Sequence, residues 1–139
     1  MISIVSSTDR EDRLEIYRQW VSREWDDDHS FAPPKGSLPL PPPLLALARD
    51  ELVGGISFTW YPAPETSELA LWINTVYVRD AYRRKGIALQ LIEAAERIVL
   101  AEFNATELLV YTNVPGLYAK NGWEIVSQDN DMWVLRKPL

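Results

Sequence analysis

The spacing of hydrophobic residues along the chain predicts a mixed α/β fold. Apolar residues recur at helical spacing in two segments, one from Leu14 to Trp25 and one from Ile87 to Val99. Short runs rich in β-branched and aromatic residues surround these segments and are typical of strands. The predicted strands are residues 2–6, 44–49, 52–60, 68–78, 107–112, 123–127 and 132–136. A short helix between Pro115 and Gly122 completes the order β-α-β-β-β-α-β-α-β-β.

Polar residues between these segments predict how the elements begin and join. Thr8 and Glu11 have the spacing of a capping box, which would open the first helix. A turn at residues 50–51 joins two strands into a hairpin, and the Gly54-Gly55 pair indicates a bulge or a close backbone approach. Strands 68–78 and 107–112 flank the long helix, so we expect them to be parallel.

Composition narrows the classes of function. The 139 residues favour one domain, residues 1–139, and the net charge of −6 argues against a nucleic-acid partner. The chain has no cysteine and one histidine, His29, so we expect no thiolate nucleophile and no metal cofactor. No apolar run is long enough to cross a membrane, and the N-terminus lacks a signal-peptide pattern. We therefore expect a cytoplasmic protein without a membrane partner.

The segment between the long strand and the long helix is a candidate anion site. The first N–H groups of a helix have no helical partner and lie at the positive end of its dipole. Gly86 would let an anion approach the backbone, and Arg83, Arg84 and Lys85 add mobile positive charge. The glycines of a P-loop or a dinucleotide fingerprint are missing. An ordinary strand-to-helix turn with solvated basic residues is the alternative.

Two motifs resemble those of the GNAT superfamily of N-acetyltransferases. Residues Arg83-Arg84-Lys85-Gly86-Ile87-Ala88 resemble the Gln/Arg-x-x-Gly-x-Gly/Ala loop with which that family binds the pyrophosphate of acetyl-coenzyme A. Residues Tyr118-Ala119-Lys120-Asn121-Gly122-Trp123 resemble its second block, Tyr-x-x-x-Gly-Phe/Trp. The order of elements also agrees over nearly the whole chain. The resemblance implies the GNAT fold, a central mixed sheet with splayed parallel strands flanked by helices.

The resemblance also implies a reaction, in which a primary amine attacks the thioester of acetyl-coenzyme A directly. The pantetheine arm would lie between the parallel strands, against the backbone of Val76, Tyr77 and Val78, and a backbone N–H near Val76 would stabilise the oxyanion. Tyr118 would act as general acid for the leaving thiolate, or else it is a packing aromatic.

The sequence departs from the family pattern at two positions. Many members carry a glutamate base on the long strand, where this chain has Trp72. Glu68 lies four residues earlier and on the same face by strand alternation, so it is either the base or a surface carboxylate. Asn74 shares that face and could order a water. Asn113 is nearer the tyrosine than the family's asparagine, so it contacts the pantetheine or caps the short helix.

The acceptor is open, because the sequence does not specify it. Asp26, Asp27 and Asp28 follow the first helix and form either an acidic lip for a cationic amine or a solvated loop. Together with Trp72 and Asn74 they are the candidate residues for a small-molecule or peptide amine. The alternative function is a non-catalytic coenzyme A-binding regulatory module. A plain interaction domain that uses the proline-rich residues 33–43 is a third idea, and a homodimer through the final hairpin is also open.

Overall fold

The computed structural model describes residues 2–25 and 39–139. In this part of the chain, seven strands form one sheet with helices on both faces. The elements are β1 (Ile2–Ser6), α1 (Glu11–Trp25), β2 (Leu44–Ala48), β3 (Glu51–Pro62), β4 (Leu69–Val78), α2 (Ile87–Phe103), β5 (Glu107–Thr112), α3 (Pro115–Ala119), β6 (Glu124–Asp129) and β7 (Met132–Pro138). The predicted order of elements is confirmed, and it corresponds to the mixed α/β class that the hydrophobic pattern indicated.

The start of α1 differs from the prediction. Thr8 lies in a 3₁₀ turn, Ser7–Asp9, and its N–H donates to the Oγ of Ser6 at 3.3 Å. The helix begins at Glu11, and its first turn is closed by the N–H of Leu14 donating to the Arg10 carbonyl at 3.0 Å. The capping-box interpretation of Thr8 is therefore wrong, because Ser6 forms the local cap one turn earlier.

The sheet has the order β1-β2-β3-β4-β5-β7-β6, and its one parallel contact in the described chain joins β4 to β5. This confirms the predicted β-α-β unit. α2 packs on one face, where Leu91, Val99 and Leu108 are fully buried. α1 packs on the other face, where Tyr17 and Val21 are fully buried. The β4–β5 junction thus lies in the middle of the sheet, between helices of opposite faces.

The paired glycines of β3 allow close backbone approach, as predicted. A Cβ on Gly55 would lie 2.6 Å from the ring of Tyr17, so α1 could not sit at its present distance over any larger residue. A Cβ on Gly54 would lie 2.8 Å from the carbonyl oxygen of Tyr77. Arg13 holds the same helix to the β2–β3 turn, since its Nε donates to the carbonyl of Asp50 at 3.0 Å.

A β-bulge interrupts β4 at Asn74. Thr75 pairs with Ser57 and Ile73 pairs with Phe58, so Asn74 is the extra residue of the bulge. Ile73 belongs to the core on the α2 face, whereas Thr75 hydrogen-bonds to Tyr17 of α1. The period-two alternation therefore breaks at the bulge. The alternation that relates Asn74 to Glu68 and Trp72 therefore does not extend to Thr75 and the residues after it.

The outer edge of the sheet is β6, the strand through which a homodimer was left open. Ile125 pairs with Leu135 and Ser127 with Val134, which makes Val126 a further bulge. Glu124 and Asp129 bound the strand and are exposed. Bulges and charges are features that protect edge strands from pairing with another chain. The structure therefore gives no support to a dimer through this edge.

Candidate active site

The two parallel strands separate soon after they meet. Their pairing is limited to Trp72 with Leu109 and Ile73 with Val110. Beyond this point β5 stays paired with β7, and no strand in the described chain pairs with the β5-facing edge of residues 74–78. A cavity of about 640 Å³ opens in the gap. The bulge at Asn74 lies where the strands diverge, so it marks the closed end of the gap.

Many of the site residues predicted from the sequence line this cavity. Its walls come from the end of β4, the start of α2, the end of β5 and the short helix α3. Chain segments far apart in the sequence therefore meet at one site. The predicted residues that line it are Asn74, Val76, Tyr77, Val78, Arg83, Ala88, Asn113 and Tyr118.

Gly86 forms the N-cap of α2 with φ of 79°, in the left-handed region that favours glycine. The first bond within the helix runs from the N–H of Gln90 to the Gly86 carbonyl at 3.1 Å, which leaves the N–H groups of residues 87–89 without helical partners. A Cβ on Gly86 would meet no atom within 4 Å. Ile87 is buried and anchors this turn in the core. The space above Gly86 is thus open to an anion.

The three basic residues before Gly86 differ in their surroundings. Arg83 donates from Nε to the Val78 carbonyl at 2.7 Å and forms an ion pair with Asp80 at 2.6 Å. It is therefore held in place, and its description as mobile charge is wrong. Arg84 is exposed and makes no ion pair within the described chain. The Nζ of Lys85 lies 5.5 Å from the centre of the Tyr82 ring.

Tyr118 lies in α3, and 3% of its surface is exposed. Its ring meets that of Trp123 edge to face, with 5.2 Å between the centroids. Burial raises the pKa of its phenol, and no side-chain hydrogen bond to the hydroxyl is found among residues 2–25 and 39–139. Tyr118 is thus packed and also lines the cavity. A neutral phenol beside the gap can donate a hydrogen bond into it.

Asn113 follows β5 and is exposed to the cavity. The alternative that it caps α3 is wrong, because Val114 occupies the N-cap position. The N–H of Val114 donates instead to the Oγ1 of Thr112 at 3.0 Å. The amide of Asn113 is therefore on the cavity wall without a role in starting the helix.

Glu68 and Trp72 do not reach the cavity. Glu68 precedes β4 and lines a different cavity of about 290 Å³, together with Phe103 and Glu107. Thr75 lies seven positions further along the strand, which is roughly 20 Å of extended chain. Trp72 is buried, and its indole N–H donates to the carbonyl of Tyr61 at 3.0 Å. Glu68 is therefore too far from this site to act as its base. Trp72 is a packing residue.

Glu24 lines the cavity, although the sequence analysis did not identify it as a site residue. It lies in the last turn of α1, where it is exposed, and Tyr111 and Met132 line the same cavity from other elements. Its position could have been read from helical spacing, since it follows the buried Tyr17 by seven residues and so lies on the same helix face. The predicted acidic lip, Asp26, Asp27 and Asp28, lies outside the described residues.

The described part of the chain contains neither a metal-binding cluster nor a membrane-spanning helix. Among residues 2–25 and 39–139, no group of three or more histidine, cysteine, aspartate or glutamate side chains could hold a metal ion. Within the same residues, no helix combines the length and the apolar character needed to cross a membrane.

Comparisons with known proteins agree with this geometry. The profile of the acetyltransferase (GNAT) family matches residues 4–123. No curated protein sequence matches significantly. Among solved structures, Arabidopsis thaliana Naa50 in complex with the bisubstrate analogue CoA-Ac-MVNAL has a TM-score of 0.72 at 17% identity, with 99% of each chain covered. Arabidopsis thaliana NAA60 in complex with acetyl-CoA has a TM-score of 0.70 at 16% identity, with both chains fully covered.

A third solved structure is the PaiA N-acetyltransferase of Thermoplasma acidophilum in complex with coenzyme A. It has a TM-score of 0.66 at 18% identity and covers 100% of this chain and 99% of its own. At these identities the solved structures establish the fold, and the profile establishes the family. Because the matched region spans most of the chain, this protein belongs to the GNAT acetyltransferase family, as its two sequence motifs predicted.

Proposed function

We propose that the protein is an N-acetyltransferase that moves the acetyl group of acetyl-coenzyme A to a primary amine by direct attack. The cavity between β4 and β5 is the observation that carries this proposal. It brings together the end of β4 beyond its pairing with β5, the first turn of α2 at Ala88 and the neutral phenol of Tyr118. Membership of the acetyltransferase family supports acyl transfer as the reaction class.

The residues present fit coenzyme A. The β5-facing edge of residues 74–78 offers backbone N–H and C=O groups to a pantetheine arm, which itself carries amides. The open space above Gly86 and the free N–H groups behind it suit a pyrophosphate, with Arg84 and Lys85 beside it. Solved relatives of the same fold hold coenzyme A or acetyl-coenzyme A. We therefore take acetyl-coenzyme A as the acyl donor.

In the reaction, nitrogen bonds to the acetyl carbon and the carbon–sulfur bond breaks. A backbone N–H on the β4 edge near Val76 would stabilise the oxyanion that forms on the carbonyl oxygen. Tyr118 would donate its proton to the departing sulfur, while the proton lost by the attacking nitrogen passes through water to solvent, from which the phenol is protonated again. Because burial raises the pKa of Tyr118, the phenol keeps its proton at neutral pH. It is thus suited to be a donor and is unsuited to take the proton of the amine.

The acceptor is proposed to be a cationic amine. Glu24 is the carboxylate that lines the cavity within the described chain, and its exposed position suits contact with a substrate ammonium group. The net charge of −6 adds long-range attraction for a cation. Asp26, Asp27 and Asp28 follow Glu24 directly and extend the acidic run. Asn74 lines the closed end of the cavity and would order a water near the attacking nitrogen.

A non-catalytic coenzyme A-binding module is the second candidate, and Trp72 in the place of a glutamate base favours it. The phenol of Tyr118 beside the cavity favours the enzyme. The two are separated by measuring thiol release from acetyl-coenzyme A with a panel of cationic, neutral and anionic primary amines. We expect release that depends on the amine and is fastest with a cationic one. Saturable binding of acetyl-coenzyme A without release from any amine would favour the module.

A further inference from the structure

Three buried hydroxyl groups form a chain beneath the cavity. The hydroxyl of Tyr17 lies 2.8 Å from the Oγ1 of Thr75, which lies 2.6 Å from the Oγ of Ser57. The exposed fractions are 0% for Tyr17, 6% for Thr75 and 1% for Ser57. Thr75 lines the cavity, whereas the other two lie behind it. The chain therefore links α1 and β3 to the cavity wall.

Thr75 is the first residue after the bulge in β4. On one side of the bulge, Ile73 is fixed in the core on the α2 face. On the other side, the hydroxyl of Thr75 is fixed by Tyr17 and Ser57 on the α1 face. The extra residue, Asn74, is thus held between two anchors on opposite faces. These anchors determine how the following residues are turned toward the gap.

The position of Tyr17 is itself tightly defined. Its ring lies against the backbone of Gly55, where even a methyl group would be 2.6 Å from a ring carbon. This contact sets the height of α1 above β3. The phenol oxygen is therefore delivered to Thr75 by packing that does not depend on the hydrogen bond. Removing the hydroxyl alone would leave the ring in place and remove one of the two hydrogen bonds that hold Thr75.

We propose that Tyr17 is a positioning residue for acyl transfer, acting through Thr75, with Ser57 as the second support. It holds the bulged segment of β4 so that backbone groups after Asn74 face the reacting carbonyl. This inference rests on the proposed function for its effect on turnover, but its structural half concerns the protein alone. An apolar contact would fill the same space without the cost of burying three hydroxyls. Compared with an apolar contact, the three hydroxyl groups add directional hydrogen bonds to Thr75.

Tyr17→Phe tests the proposal, with Val99→Ala as the control. Val99 is fully buried in α2, so its truncation lowers stability without touching the hydroxyl chain. The first readout is amide hydrogen exchange in the unliganded protein. We expect exchange in residues 74–78 to be about tenfold faster in Tyr17→Phe, the scale of one net hydrogen bond. Residues 69–73 should be unchanged, and Val99→Ala should show no local change.

The second readout is the kinetics of acyl transfer. In Tyr17→Phe we expect kcat to fall about tenfold, again the scale of one hydrogen bond. The Kd for acetyl-coenzyme A should stay within about twofold, because the hydroxyl lies behind the cavity wall. Val99→Ala should keep the wild-type kcat below its melting temperature. A lower kcat with an unchanged Kd in Tyr17→Phe, and a normal kcat in Val99→Ala, would distinguish a positioning role from a general loss of stability.

Two results would overturn the proposal. One is an exchange rate of residues 74–78 that is unchanged in Tyr17→Phe, or raised evenly over the sheet as in a globally destabilised protein. The other is a wild-type kcat in a variant whose exchange has changed. If the wild-type protein transfers no acetyl group to any amine, the proposed function fails. The exchange result then still decides whether Tyr17 holds the bulged segment.

Discussion

Replacing Gly86 tests the anion site that both sequence and structure indicate. We consider two isosteric variants, Gly86→Asn and Gly86→Asp. Both place a Cβ where the protein has no atom within 4 Å, and both residues tolerate the left-handed backbone better than other non-glycine residues. Each should lose about 1 kcal/mol of stability from the positive φ and remain folded. The two variants then differ in one negative charge.

That charge would lie beside the pyrophosphate of the donor. Two unit charges 4 Å apart near a protein surface interact with about 4 kcal/mol. Solvent and salt weaken this repulsion, so we expect Gly86→Asp to bind acetyl-coenzyme A about a hundredfold more weakly than Gly86→Asn, which is about 2.7 kcal/mol. The difference should shrink as ionic strength rises. Gly86→Asn should bind moderately more weakly than wild type, because its side chain occupies the open space.

Isothermal titration of each variant with acetyl-coenzyme A measures these affinities, and circular dichroism checks that each protein is folded. Equal affinities of the aspartate and asparagine variants at low salt would refute the assignment of this loop to a phosphate. A difference that is insensitive to salt would refute the electrostatic explanation.

The other predictions concern catalysis, the acceptor and stability. Tyr118→Phe should lower kcat about a hundredfold with little change in the Kd of acetyl-coenzyme A. If this variant keeps the wild-type kcat under conditions where chemistry is rate-limiting, Tyr118 is a packing residue and not the general acid. Glu24→Gln should raise the KM for a cationic amine about fivefold at low salt. Glu15→Gln, the same change at an exposed site of α1, should not. Burial raises the pKa of both Tyr17 and Tyr118, so the folded state keeps protons that unfolded tyrosines lose near pH 10. The free energy of unfolding in urea should therefore fall above pH 10 by about 1.4 kcal/mol per pH unit for each tyrosine, and each Phe variant should remove its share. Gly55→Ala should destabilise the protein by about 1–3 kcal/mol, since the new methyl group would overlap the ring of Tyr17.

Local signals in the sequence were sufficient for much of the fold. β1 and β5 have the predicted bounds because their apolar runs are short and end at polar residues. The end of α2 was predicted from Asn104, which has φ of 51°. Gly86 was predicted from its motif, and its positive φ follows from the chemistry of glycine. These features depend on neighbours in sequence, so sequence alone contains them.

The bulge at Asn74 could not be predicted from the sequence. No glycine or proline marks it, and Thr75, the residue that follows it, is held by Tyr17 and Ser57, which are distant in sequence. The prediction for Glu68 fails for a separate reason: strand alternation relates its face to that of Trp72, but it says nothing about distance along the strand. The structure places Glu68 at the other end of β4 and brings in Glu24 from α1 instead. Long-range packing thus decides which carboxylate faces the cavity.

Acetyl transfer itself is the central claim, and mass spectrometry of a complete reaction tests it most directly. The protein is incubated with acetyl-coenzyme A and a mixture of primary amines, and the molecular masses of the small molecules and of the protein are then measured. The account predicts an acetylated amine, an equal amount of free coenzyme A and an unmodified protein, because the amine attacks the thioester directly. Acetyl-coenzyme A that is bound but recovered intact, with every amine unmodified, would contradict it.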